Sequence, residues 1–138
     1  MSELHIFRGL PGSGKTTAAR KLSEETGAIL IEPDALLVEN GKYLYGPKRY
    51  QRAFRAAVYL LQGIGKTKAD IIFADVLPTR GEVAMLPVFL GENERMYQLF
   101  VHDLKITAEE SLLRNRHNVR PEDIERMASE WEDWEVTK

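Results

Sequence analysis

The most constraining feature of this chain is a glycine-rich segment near its start, Gly9-Leu10-Pro11-Gly12-Ser13-Gly14-Lys15-Thr16. The segment matches Gly-x-x-x-x-Gly-Lys-[Ser/Thr] at every fixed position, and it lies between an apolar run and a helical pattern, as a phosphate-binding loop requires. Its glycines allow successive backbone N–H groups to point into one anion-binding hollow, toward which the following helix turns its positive end. Lys15 is expected to reach the β- and γ-phosphates of a nucleoside triphosphate, and Thr16 to bind Mg²⁺ through its hydroxyl. The residues predicted to hold the nucleotide are Gly9, Pro11, Gly12, Ser13, Gly14, Lys15, Thr16 and Thr17.

The length and composition predict a single globular domain over residues 1–138. Hydrophobic residues make up 43% of the chain and charged residues 29%, so the chain can bury a core. The sequence has no cysteine, which excludes disulfides, thiolate metal sites and a cysteine nucleophile. We expect a cytoplasmic protein without a membrane span, because no apolar stretch approaches ~20 residues and the start lacks a signal-peptide pattern. The net charge of −2 requires any anionic partner to meet a local basic surface.

Apolar runs and helical patterns alternate along the chain, which predicts an α/β fold. Short apolar or β-branched runs favour strands at 4–8, 28–31, 70–75 and 96–101. Helical spacing favours helices at 15–25, 47–62, 79–90, 107–117 and 121–134, and Gly63 and Gly65 are expected to end the second of them. Residues 40–47 are expected to form a loop. This alternation implies a parallel sheet with helices on both faces, and the last two helices are placed where a lid would lie.

Two aspartates end predicted strands, and both are expected to approach the phosphate loop. Asp34 follows the second strand, and Asp75 follows the third. In a doubly wound sheet, the carboxyl ends of the strands face the ligand crevice. Phosphoryl transfer needs a group that deprotonates the acceptor and a metal ion held in place, and these two acids are candidates for those tasks. The alternative is that Asp34 forms a turn after proline, and that Asp75 either caps a helix or is a solvated residue at a strand end.

The stretch from residue 40 to residue 69 contains seven basic residues and no acidic one. Lys48, Arg52 and Arg55 are spaced to share one face of the predicted helix. Such a face can bind the phosphates of a nucleic acid, so these residues are candidates for acceptor binding. The alternative is the solvated face of an ordinary amphipathic helix.

A second group of basic residues lies between the last two predicted helices. It contains Arg114, Arg116 and Arg120. An arginine on a closing segment can neutralise charge on a phosphoryl group in transfer, so all three are candidate catalytic residues. The alternative is a solvated helix end, because cations are favoured near helix C-termini.

A series of motifs runs through almost the whole chain in a fixed order. It comprises the segment 9–17, Asp34, Gly41-Lys42-Tyr43-Leu44-Tyr45, Asp75, and Arg114-Asn115-x-His117-x-Val119 leading into Glu122-x-x-x-x-Met127 and Trp131-Glu132. This series resembles the P-loop polynucleotide kinase family, in which ATP gives its γ-phosphate to the 5′-hydroxyl of DNA or RNA. The resemblance implies a kinase-type P-loop fold with a C-terminal helical lid, ATP and Mg²⁺ as cofactors, and a nucleic acid partner. By position, Asp34 would be the general base, Arg114 would belong to the lid, and Asp75 would lie near the acceptor or the metal.

The chain departs from the family pattern on the acceptor side. Ala35, Leu36 and Leu37 follow Asp34 where the family often has a second acid and an arginine, and Val76-Leu77-Pro78 follows Asp75 where the family has an asparagine. The second lid arginine is either Arg116 or Arg120. The acceptor therefore stays open between a 5′-hydroxyl end, a hydroxymethylated base in DNA and a small molecule. A module that binds ATP without transfer is a further alternative, and the sequence leaves open ATP or GTP, DNA or RNA, and homo-oligomers.

Overall fold

A parallel sheet with helices on either side forms the centre of the protein, whose computed structural model describes residues 1–39, 42–43, 46–115 and 119–135. The strands are β1 (Ser2–Arg8), β2 (Ile29–Ile31), β3 (Val38–Glu39), β4 (Lys42–Tyr43), β5 (Ile71–Asp75) and β6 (Tyr97–Asp103). The α-helices are α1 (Lys15–Thr26), α2 (Pro47–Thr67), α3 (Arg80–Val88), α4 (Ala108–Arg114) and α5 (Pro121–Glu130). Two 3-10 helices occupy Pro33–Leu37 and Gly91–Met96.

The strand that leads into the phosphate loop is an inner strand of the sheet. The strand order is β2-β5-β1-β6, and all pairings are parallel. At the carboxyl end of β1, Arg8 lies level with Asp75 of β5 and with Asp103 of β6. Three strand ends therefore meet beside the phosphate loop, and the prediction of a parallel α/β sheet is confirmed.

Apolar side chains cover both faces of this sheet. On one face, Leu4 and Ile6 of β1 belong to a buried cluster with residues of α2 and α3. On the other face, Phe7 of β1 and Ile72 of β5 belong to a cluster with Ala19 of α1. Because successive residues of a strand point to opposite faces, β1 and β5 contribute to both clusters. The prediction that helices lie on both faces is confirmed.

The second helix is longer than the sequence predicts. It passes through Gly63 and Gly65 and ends at Thr67, so the prediction that these glycines end it is wrong. Gly65 is buried, and a Cβ added to it would lie 2.7 Å from Leu90 Cδ2. Close packing against Leu90 therefore explains a glycine at this position.

The last helix is shorter than the sequence predicts. It ends at Glu130 rather than near residue 134. The chain beyond it contacts the ends of the sheet, and the N–H of Glu132 donates to the carbonyl of Pro78 at 2.8 Å. Contacts with the rest of the fold thus override the helical pattern of this segment.

The predicted loop at 40–47 contains the short strand β4, which pairs antiparallel with β3 just before the loop, so that Val38 lies level with Tyr43. Gly41, Leu44 and Tyr45 of the motif series lie outside the described residues, as do residues 116–118. Within the part of the chain that the structure describes, no helix has both the length and the apolar composition that a membrane crossing needs.

Candidate active site

The phosphate loop joins β1 to α1 and has the backbone shape that its glycines predict. Gly12 and Gly14 have φ values of 82° and 89°, in the left-handed region that favours glycine. The N–H of Ser13 donates to the carbonyl of Leu10 at 3.0 Å and closes the turn. The Oγ of Ser13 is buried and has no hydrogen-bond partner among the described residues. Buried hydroxyls are normally satisfied, so this one fits a loop that receives an anionic ligand.

Lys15 is a buried cation beside three carboxylates. It begins α1 and is only 7% exposed. Burial lowers the pKa of its ammonium group, whereas the negative charges of Asp34, Asp75 and Glu32 act to raise it. The sequence predicts the first two of these acids near Lys15, and the structure brings both into the same cleft. Glu32 is a third acid near Lys15, and no sequence motif marks it.

Asp75 is held by a tyrosine of α2. Asp75 is 1% exposed, its Oδ1 accepts the N–H of Val76 at 2.8 Å, and its Oδ2 accepts the hydroxyl of Tyr50. Burial, followed by the negative charge of Asp34, raises the pKa of Asp75 to about 7. Burial and Asp75 raise the pKa of Tyr50 far above its ordinary value, so the tyrosine stays protonated and remains a donor. No motif marks Tyr50 in the sequence.

The cleft offers oxygen donors of the kind that Mg²⁺ prefers. Thr16 contributes a hydroxyl, and Asp34 and Asp75 contribute carboxylates. In the described ranges, no group of three or more histidine, aspartate or glutamate side chains forms a metal cage. Mg²⁺ commonly uses one or two carboxylates together with water and substrate phosphates, so these residues fit a metal that arrives with a nucleotide.

The helix α4 packs directly on the phosphate loop. The buried hydroxyl of Ser111 donates to the carbonyl of Pro11 at 2.6 Å. A Cβ added to Gly12 would lie 2.6 Å from the Cβ of Arg114, so the two residues are in close contact. Arg114 also lines the cleft and forms an ion pair with Glu110 at 3.6 Å. The structure therefore brings Arg114 to the phosphate loop, and its role in a lid stays a prediction.

Of the two other predicted lid arginines, the structure describes only Arg120. Arg120 lies outside the lining of the cleft, and its Nε donates to Asp123 at 3.0 Å. Arg116 lies outside the described residues. Arg126 of α5 does line the cleft, although the sequence analysis passed over it. No sequence motif marks Arg126, because its place in the cleft depends on the packing of α5 on α4.

The cleft has a volume of about 660 Å³. One part of its lining is formed by the phosphate loop, Asp34, Tyr50, Asp75 and Arg114. Six further lining residues come from the segment after β5 and from α5, and we call them the outer wall: Val76, Leu77, Pro78, Arg126, Met127 and Glu130. Glu82 of α3 also lines the cleft. The space is large enough for a nucleotide and part of a second ligand.

The basic face of α2 lies apart from the cleft. Lys48, Arg52 and Arg55 are all exposed, and none of them lines the cleft. The buried residues of the same helix, such as Ala53, Ala57 and Leu61, belong to its other face. The structure thus supports a shared, exposed basic face and separates it from the phosphate loop.

Residues 4–135 match the family model described as AAA domain. Among solved structures, the Pnkp1/Rnl/Hen1 RNA repair complex contains a chain with a TM-score of 0.73 and 19% identity, covering 94% of this chain and 43% of that one. This chain therefore spans less than half the length of that relative.

Two small-molecule kinases have the same fold. A gluconokinase from Sinorhizobium meliloti gives a TM-score of 0.59 at 18% identity, covering 96% of this chain and 75% of the other. Shikimate kinase from Acinetobacter baumannii, in complex with shikimate, gives 0.55 at 22% identity, with 94% and 73% covered. At these identities the likeness concerns the fold, and it confirms the prediction of a kinase-type P-loop architecture.

Proposed function

The chain belongs to the AAA domain family with a P-loop kinase fold, and from this premise we propose that it moves the γ-phosphate of ATP to the 5′-hydroxyl of a nucleic acid. One observation carries the phosphate chemistry. A phosphate loop, the buried Lys15 and the strand-end acids Asp34 and Asp75 line the same cleft. Phosphoryl transfer depends on positioning and on charge stabilisation, and this set of groups supplies both.

Each of these residues has a distinct role in the proposed reaction. Asp34 accepts the proton of the acceptor's hydroxyl while the hydroxyl oxygen forms a bond to the γ-phosphorus. The bond between the γ-phosphorus and the β-phosphate oxygen breaks, which releases ADP. Lys15 and Arg114 stabilise the charge on the transferring group. Thr16 and Asp75 would hold Mg²⁺, and the ion would neutralise negative charge on the phosphates.

The proposal of a nucleic acid acceptor has separate support. The similar structure named above belongs to an RNA repair complex, and α2 carries an exposed face of Lys48, Arg52 and Arg55. Basic side chains on one face bind a phosphate backbone in a salt-dependent manner. We propose that this face holds the acceptor at a distance from the reacting end.

A small hydroxylated molecule is the second candidate acceptor. Four carboxylates line the cleft, from Asp34, Asp75, Glu82 and Glu130. They would repel the phosphates of a polynucleotide that entered deeply, whereas they can accept hydrogen bonds from the hydroxyls of a polyol. This acidity is the observation that favours a small acceptor.

The deciding experiment measures transfer of labelled γ-phosphate with Mg²⁺ to three acceptors. These are a 5′-hydroxyl oligonucleotide, a duplex with 5-hydroxymethyluracil and blocked 5′ ends, and a panel of small polyols. Label on the first supports the proposal, label only on the second indicates modification of a DNA base, and label only on the third indicates a small-molecule kinase. ATP binding without transfer to any acceptor would indicate a module that binds ATP only.

Asp34→Asn is expected to abolish transfer and to retain ATP binding. Equal transfer by this variant would refute the role of Asp34 as general base.

The basic face is tested by changing Lys48, Arg52 and Arg55 together to alanine. We expect weaker oligonucleotide binding and a smaller salt slope, by about one unit per lost phosphate contact. Arg95→Ala serves as the control, because Arg95 is exposed and belongs to the second 3-10 helix rather than to α2. An unchanged salt slope in the triple variant would exclude this face as the acceptor site.

A further inference from the structure

Arg8, the last residue of β1, is a fully buried arginine. Its Nε and Nη2 donate to the carbonyl of Leu77 at 2.9 and 2.7 Å, and Nη2 also donates to the carbonyl of Pro78 at 3.0 Å. Its Nη1 donates to Asp103 at 3.1 Å. The guanidinium therefore binds the backbone after β5 and the end of β6 at once. Arginine is suited to this because its donors have a fixed, forked geometry.

The backbone that Arg8 holds has an unfavourable conformation. Leu77 has a φ of 48°, in the left-handed region that non-glycine residues seldom adopt. Such a conformation persists only where the surroundings enforce it. Two of the hydrogen bonds from Arg8 end on the carbonyl of Leu77, and Val76, Leu77 and Pro78 form the first half of the outer wall.

The same guanidinium also anchors the segment that follows α5. Its carbon lies 4.0 Å from the centre of the Trp131 ring, which is a cation–π distance. Next to it, the N–H of Glu132 donates to Pro78 O at 2.8 Å, and the N–H of Trp134 donates to Asp103 Oδ2 at 3.1 Å. The end of α5, which carries the second half of the outer wall, is thereby joined to the segment after β5.

We infer that Arg8 is a positioning residue for the acceptor, because it fixes both halves of the outer wall relative to each other. This inference rests on the proposed function: with the phosphate loop, Lys15 and Arg114 assigned to the phosphates of the donor, we assign the outer wall to the acceptor. Arg8 itself does not line the cleft, and it acts through Leu77, Pro78 and Trp131. The acceptor site depends on it, and the nucleotide site does not.

The kinetic test compares Arg8→Lys with the unaltered protein on whichever acceptor proves active. Lysine keeps the charge but loses the fork, so we expect the KM for the acceptor to rise roughly tenfold, the effect of about one charge-assisted hydrogen bond. The KM for ATP should change by less than about twofold. Trp131→Leu should shift the KM for the acceptor in the same direction, and Arg95→Lys, at an exposed position, should not. A fall in kcat with both KM values unchanged would show a merely structural role and overturn the inference.

A second measurement does not depend on activity. Hydrogen exchange followed by mass spectrometry should show faster exchange in Arg8→Lys, by roughly tenfold, at the amides of Val76, Leu77, Glu132 and Trp134. Exchange in the phosphate loop should stay unchanged. Faster exchange throughout the protein, or no change in exchange at any of these amides, would refute the positioning role. If no acceptor is phosphorylated by the unaltered protein, the proposed function fails, and the exchange pattern still decides whether Arg8 joins the two halves of the wall.

Discussion

Replacing Asp75 by asparagine should stabilise the nucleotide-free protein, and more so at alkaline pH. The pKa of Asp75 rises from 3.8 to about 7 on folding, mainly through burial and then through Asp34. A folded-state pKa above the unfolded value means that the folded protein binds the proton more tightly, so stability falls as pH rises from about 4 to about 7. Relative to acid pH, where Asp75 is protonated in both states, this group should lower the free energy of unfolding by about 4 kcal/mol at pH 8 and by about 2 kcal/mol at pH 5. Each pKa unit corresponds to about 1.4 kcal/mol.

The assay is urea unfolding of both proteins at pH 5 and pH 8 without Mg²⁺ or nucleotide. The gain from Asp75→Asn should be larger at pH 8 than at pH 5 by about 2–3 kcal/mol. This comparison cancels any pH-independent change in packing at the asparagine. Glu92→Gln at an exposed site controls for the loss of a negative charge and should stay within about 0.5 kcal/mol. Equal gains at both pH values would refute the reasoning.

Three further outcomes are expected. Gly12→Ala should destabilise the protein by about 1–3 kcal/mol and weaken nucleotide binding measured by calorimetry, because its φ is 82° and the new Cβ would lie 2.6 Å from the Cβ of Arg114; unchanged binding would contradict this. Ser111→Ala removes the hydroxyl that donates to the carbonyl of Pro11, and urea unfolding should show a loss of about 1–3 kcal/mol; a loss below about 0.5 kcal/mol would argue against the contact. Burial and the neighbouring histidine lower the pKa of His102, so thermal stability should fall as pH drops below about 6.5, and His102→Phe should lessen that fall; an identical fall in the variant would exclude this histidine.

Much of the site could be predicted because its residues occupy strand ends. Lys15 follows a recognisable loop, and Asp34 and Asp75 follow strands, so the parallel arrangement alone brings them to one edge of the sheet. The spacing of Lys48 and Arg52 likewise predicts that they lie on the same face of a helix. These inferences need only local periodicity and one topological rule.

Other features depend on contacts between distant parts of the chain. The hydrogen bond from Tyr50 to Asp75 requires the placement of α2 against β5. In the sequence, Gly65 looks like the end of a helix. Its close packing against Leu90 explains why glycine is found there inside the helix. Arg8 is a charged residue at a strand end, and the sequence alone predicts that such a residue is exposed. In the structure, the segment after β5 and Trp131 enclose it. Local pattern contains no information on such enclosure.

The inner position of β1 has a consequence for how the protein folds. Its residues pair across long stretches of sequence, Leu4 with Ile71 and Ser2 with Tyr97. Contacts of such high sequence separation form slowly, because a long loop must close before they are made. A growing chain that has emerged only as far as residue 70 contains the whole phosphate loop but neither strand that flanks β1. The ability to bind a nucleotide should therefore appear late in synthesis, although the residues that bind it are made first.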